Sequence, residues 1–176
     1  MMTGIPIENN LWTAYLLTIF FVVAGFAVYD VLYRRVPDRA LVFFIPLAAL
    51  APVLQGYFLL NHGLPPLFLW PVATHALVGA LLGFCIPLAA ALATTAPVLA
   101  AGYIKFCGIL GLVYGPSGMA LVFLTAAVTA MPVIFLLRRL YRTGQPLAIP
   151  FLPFLACGCC TATLAQLFLS LQIKNQ

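Results

Sequence analysis

Acidic side chains are nearly absent: 176 residues contain only Glu8, Asp30 and Asp38. So few carboxylates leave no material for a carboxylate metal cluster or an acidic binding face. Charge of either sign is scarce as well, at 6% of residues, while 65% are hydrophobic. That balance excludes a water-soluble globular domain, which would have to expose large apolar patches. Histidine occurs twice, as His62 and His75, with no partner at metal-ligand or catalytic spacing, so the two are read as a loop residue and a helix-packing residue. Five cysteines (Cys85, Cys107, Cys157, Cys159 and Cys160) lie within apolar stretches, and their odd number argues against a full disulfide framework. The run Cys157-Gly158-Cys159-Cys160 has no nearby histidine, so it reads as small helix residues rather than a metal site.

What is plentiful is long apolar sequence. Mean hydropathy is +1.15, and runs of about 20 residues, enough to cross a bilayer, fall at 11–30, 40–60, 69–93, 117–137 and 150–171. A sixth and shorter run at 99–115 contains Lys105, Gly102, Gly108 and Gly111, a composition suited to packing against other helices. The expectation is an all-α integral membrane protein of six transmembrane helices forming one domain over residues 1–176. Prolines 46, 52, 71, 87 and 132 fall inside these runs and predict kinks. The start of the chain lacks the basic segment of a cleavable signal peptide, so the first run is expected to remain as a span.

The eight cations fix an orientation. Arg34, Arg35 and Arg39 follow the first run, Lys105 opens the fourth, and Arg138, Arg139 and Arg142 follow the fifth, leaving only Lys174 elsewhere. With six spans and both termini on the outer, periplasmic side, seven cations face the cytoplasm, as the positive-inside tendency requires. The net charge of +5 is thus confined to short loops, with no extended surface for nucleic acid. The 61–66 loop and the Gly115-Pro116-Ser117-Gly118 turn then lie outside and carry no charge.

Asp30 is the most informative residue, because a carboxylate at the edge of a membrane helix is costly to keep and marks a functional site. The run Asp30-Val31-Leu32-Tyr33-Arg34-Arg35-Val36-Pro37-Asp38 resembles the first signature of the type IV prepilin peptidases, a family of membrane aspartic endopeptidases. In that signature a catalytic aspartate ends a helix and is followed by basic residues, then Ile/Val-Pro-Asn; Asp38 stands here for the asparagine. The segment Ala100-Ala101-Gly102-Tyr103-Ile104-Lys105, continued by Gly108, Gly111 and Gly115, is similar to the family's Gly-x-Gly-Asp-x-Lys. Ala148-Ile149-Pro150-Phe151-Leu152-Pro153-Phe154-Leu155-Ala156 is similar to its Pro-Phe-Gly-Pro-Phe-Leu-Ala, with Leu152 in place of glycine. The three motifs keep the family order and cover nearly the whole chain. Only ten residues precede the first run, so the resemblance is to the short, peptidase-only branch and leader methylation is not implied.

The resemblance implies endopeptidase cleavage of prepilin or pseudopilin leaders at the cytoplasmic face of a bacterial inner membrane, in a type IV pilus or secretion system. It implies no cofactor and no metal. Asp30 takes the first catalytic position and Tyr103 the second, where the family has aspartate. Two carboxylates sharing a proton divide the work of base and acid, whereas a phenol with a reference pKa near 10 remains a neutral donor. Two readings follow: a peptidase that finds its second acid elsewhere, or an impaired homologue that binds pilin-like helices during assembly. Asp38 is read as the cap of the second span, with rescue of the dyad as its alternative. Lys105 is read as an electrostatic partner of Asp30, against a lysine that merely reaches the interface. Asp30 could also pair with Arg34 at helical spacing. Partners implied are pilin-like helices, the bilayer and a further copy of the chain. A small transporter using Asp30 and Lys105 as a charge pair is a third reading from another class.

Overall fold

A computed structural model describes residues 5–93, 101–140 and 150–174, with side chains described from Asn10 onward except at 138, 140 and 169–174. Five α-helices account for nearly all of it: α1 (Ile5–Tyr33), α2 (Asp38–Asn61), α3 (Leu69–Ala93), α4 (Ala101–Leu140) and α5 (Leu152–Lys174), with a 3-10 turn at Pro66–Phe68 before α3. Helix is what an apolar chain must adopt in hydrocarbon, since every backbone donor then finds an acceptor within its own segment. Four stretches, Asn10–Tyr33, Asp38–Asn61, Pro66–Ala93 and Ala101–Leu137, are long and apolar enough to cross a membrane, and Leu152–Phe168 is a shorter apolar helix. Large apolar side chains such as Phe21, Phe43, Trp70, Leu92, Met131 and Phe135 point outward, as lipid-facing residues do. The protein is therefore a helical, multi-pass membrane protein.

Helix ends follow local chemistry. Gly63, at φ 74°, closes α2: the Leu64 amide donates to the Leu59 carbonyl at 3.2 Å and the Gly63 amide to Leu60 at 3.0 Å. This pairing of bonds uses the freedom of glycine at positive φ. Arg34 ends α1 at φ 52°, its amide donating to the Asp30 carbonyl at 2.7 Å. Pro46, Pro52, Pro87 and Pro132 lie inside their helices, and Pro71 falls in the first turn of α3, where no intrahelical donor is lost.

The break in α4 organises the bundle. Gly115 has φ 65° and ψ −175°, which is non-helical, and Pro116 follows it. Side-chain contacts show that the chain turns back there. Tyr114 meets Thr163 of α5, but beyond the break a side chain at Gly118 would approach Gln166, and the Thr161 hydroxyl reaches Thr125 at 3.3 Å. Positions on α5 thus rise along the first arm, 101–114, and fall along the second, 116–140. The break coincides with the boundary between the apolar runs at 99–115 and 117–137.

Glycines set the closest helix approach. A Cβ on Gly79 would stand 2.3 Å from the Gly111 carbonyl oxygen, and one on Gly83 would stand 2.2 Å from that of Cys107. No side chain fits between α3 and the first arm of α4, so the two backbones touch directly, as in other membrane helix pairs. The core sits where α1, α2, α4 and α5 converge, centred on Leu16, Ile19, Val23, Phe44, Phe106, Leu110 and Leu155. Phe26, Phe44 and Phe106 interlock there at centroid distances of 5.0–5.8 Å, a spacing at which aromatic pairs attract beyond their area.

Candidate functional site

The buried stripe of α1 runs Leu16, Ile19, Val23, Phe26 and then Asp30. That register carries the carboxylate, 0% exposed, into the bundle one turn before the helix ends. Tyr103 lies on the matching stripe of α4, two positions after its start and ahead of Phe106, Cys107 and Leu110. Asp30 and Tyr103, 73 residues apart in sequence, meet there: the phenol donates to Oδ1 of the carboxylate.

A third element joins them. The backbone amide of Leu152, first residue of α5, donates to Oδ2 of Asp30 at 3.0 Å. The first amides of a helix have no partner within it, and an anionic acceptor also suits the positive end of the helix dipole. Asp30 therefore caps α5 from another helix, and both of its oxygens are occupied. Phe151, preceding the cap, packs edge-to-face on Tyr103 with ring centroids 6.1 Å apart. Gly102 gives the turn between α1 and α2 room to close over the site, since a Cβ there would lie 3.0 Å from Cβ of Val36.

Asp38 and Lys105 behave differently from their sequence expectations. The cap residue of α2 is Pro37, with no side-chain cap bond, and Asp38 is the first residue of the helix. Its carboxylate pairs instead with Nζ of Lys105 at 3.1 Å, both side chains more than half exposed. Lys105 thus pairs with Asp38 rather than with the buried Asp30, at an exposed position. Among the described residues no ion pair joins Arg34 to Asp30; their bond is the backbone one that ends α1. Asp38, held in an exposed pair, does not approach Asp30 as a second acid. Glu8 lies on the same helix as Asp30, at the far end of α1, about 33 Å away at 1.5 Å per residue.

His62 and His75 stand at the opposite end of the molecule, His62 capping α2 and His75 packed against Gly115. Among the described residues no group of three His, Cys, Asp or Glu could hold a metal ion, and the five cysteines are free. Gly158 of the Cys157 to Cys160 run instead brings α5 onto the Val122 carbonyl of α4. Two features lay beyond sequence reasoning. Leu152 acts through a backbone amide, which leaves no trace in residue type. The buried pair of Tyr114 and Thr163, 2.9 Å apart, was signalled only by two hydroxyls in apolar helices.

Chemically, the arrangement is one buried carboxylate closed by two protein donors, a phenol and a backbone amide. It can hold three helices in register. No family model, curated protein or solved structure matches the chain.

Proposed function

We propose that this chain is a non-cleaving relative of the type IV prepilin peptidases, a six-span protein of the bacterial inner membrane that binds pilin-like helices during pilus or secretion-system assembly. The meeting of Asp30 with Tyr103 carries this reading: the two positions assigned from the motifs to the family's catalytic pair lie against one another, and one of them is a phenol. The family reaction needs a base that takes a proton from water and an acid that polarises the scissile carbonyl. Here the single carboxylate has both oxygens taken, and the neighbouring hydroxyl donates rather than accepts.

The turn with Arg34 and Arg35, the start of α2 and Lys105 all lie at the Asp30 end, with the uncharged 61–66 loop and the Gly115 turn at the other. The break at Gly115 supports counting α4 as two spans; with α5 that makes six, an even number that leaves both termini on one side, and the positive-inside tendency supports the cytoplasm for the basic end and the outside for the termini. A basic leader is repelled by that end, so recognition rests on the apolar helix of the substrate docking between spans.

The test is co-expression with a panel of type IV prepilins, reading leader cleavage and co-purification together. The unmodified chain should retain uncleaved prepilin, Tyr103→Asp should restore cleavage, and Asp30→Asn added to Tyr103→Asp should abolish it. Cleavage by the unmodified chain that disappears in Asp30→Asn would instead identify a working peptidase. Neither retention nor restored cleavage across the panel would remove the family reading.

A further inference from the structure

The basic turn at the Asp30 end has a charge problem that the whole sequence can be asked to solve. The side chains of Arg34, Arg35 and Arg39 are exposed. Of the three acidic side chains in the sequence, Asp30 is buried against Tyr103 and Leu152, Asp38 is paired with Lys105, and Glu8 belongs to the far end of α1. Neither of the described acidic side chains, Asp30 or Asp38, pairs with the three guanidinium groups.

The same turn borders an apolar groove. Val22, Gly25, Phe26 and Tyr29 of α1 form one wall, and Pro37 and Ala40, at the start of α2, form the other. The space in front of Gly25 is open, since a Cβ built there meets nothing within 4 Å. In sequence Arg39 adjoins Ala40, while Arg34 and Arg35 lie between Tyr29 and Pro37, so the cations flank the positions that line the groove. An occupant with an apolar tail and an anionic head satisfies both features. In a membrane protein that occupant is at hand in the surrounding lipid.

We propose that the α1–α2 seam binds one anionic phospholipid, an acyl chain lying in the groove from Val22 to Ala40 and the phosphate engaged by Arg34, Arg35 and Arg39. Arginine suits the role, because its planar fork meets phosphate oxygens in pairs and is more weakly hydrated than an ammonium. The bound head group would also relieve the repulsion between the three cations at the end of the bundle.

Fluorescent phosphatidylglycerol and phosphatidylcholine with identical acyl chains are titrated onto the purified protein in neutral detergent. The native chain should take phosphatidylglycerol at roughly tenfold lower concentration or better, given the strength of basic contacts with anionic lipid. That preference should vanish in the triple variant R34Q/R35Q/R39Q and persist in R34K/R35K/R39K. Gly25→Leu, which fills the groove and leaves the arginines, should weaken binding of both lipids. If the glutamine variant does not fold, the native protein decides alone: its preference should shrink severalfold as salt rises from about 0.05 to 0.5 M. Equal uptake of the two lipids, a preference indifferent to salt or to the arginines, or undiminished binding in Gly25→Leu would each overturn the site. So would displacement of the probe by an apolar helical peptide but not by unlabelled phosphatidylglycerol, which would make the groove a peptide site.

Discussion

Asp30 is asked to satisfy two donors in a place where neither can turn to water, which makes the cost of losing either one calculable. Tyr103→Phe strips Oδ1 of its donor while keeping the ring on Phe151. A buried acceptor left unsatisfied costs about 1–3 kcal/mol, so the variant should melt measurably lower in detergent. Asp30→Ala should melt lower than Asp30→Asn, because it orphans both the phenol and the Leu152 amide whereas asparagine keeps an acceptor. The exposed pair offers the contrast. Lys105→Gln should cost below about 1 kcal/mol, since solvent screens its bond to Asp38. A loss in Lys105→Gln as large as that in Tyr103→Phe would mean that the rim pair, and not the buried one, anchors this end of the molecule. The sequence singled out Asp30 and Tyr103 as residues, their meeting is seen in the structure, and the destination of Asp38 was not legible. A carboxylate just after a proline at a helix start looks like a cap on local rules, and its cation lies 67 residues away.

At the scale of helices, glycine positions divide into those with room and those without. Gly25 faces open space, but Gly79, Gly83 and Gly111 have carbonyls of the facing helix inside any possible Cβ. Gly83→Leu should therefore force α3 away from the first arm of α4 and sharply reduce the yield of folded, monodisperse protein, while Gly25→Leu should leave that yield near normal. Gly115 combines positive φ with the imidazole of His75 only 2.0 Å from where a Cβ would be. Replacing it with alanine should cost at least about 1 kcal/mol from backbone strain alone, seen as a lower melting temperature. The Gly115-Pro116 break was readable because both residues oppose helix locally. The tight face of α3 was not, because Gly79 and Gly83 acquire meaning only from the carbonyls opposite them. Single-helix patterning gave little help, since helices that are apolar all round have no polar face to mark the buried side.

For the whole molecule, the contacts place the Arg35 turn at one end of the bundle and the 61–66 loop at the other. A cysteine at either position, in a background with exposed Cys85 and Cys157 changed to serine, should react with an impermeant maleimide from opposite faces of sealed membranes. Arg35→Cys should label only from the cytoplasmic face and Leu64→Cys only from the outer one. Labelling of both from one face would break the six-span topology proposed above while leaving the pairing of helices intact. The helical membrane class and the approximate positions of the apolar helices followed from composition, because hydrocarbon permits so few backbone solutions. Which helices touch did not, since association in lipid depends on shape and not on burial from water.

The carboxylate that caps α5 belongs to α1, so the start of the last helix is secured by a group outside it. Any guest that competed for Oδ2 of Asp30 would release the Leu152 amide to exchange with solvent deuterium. Occupancy of the site would then be written as faster exchange at that single backbone position, and the protein would report its own ligand without a label.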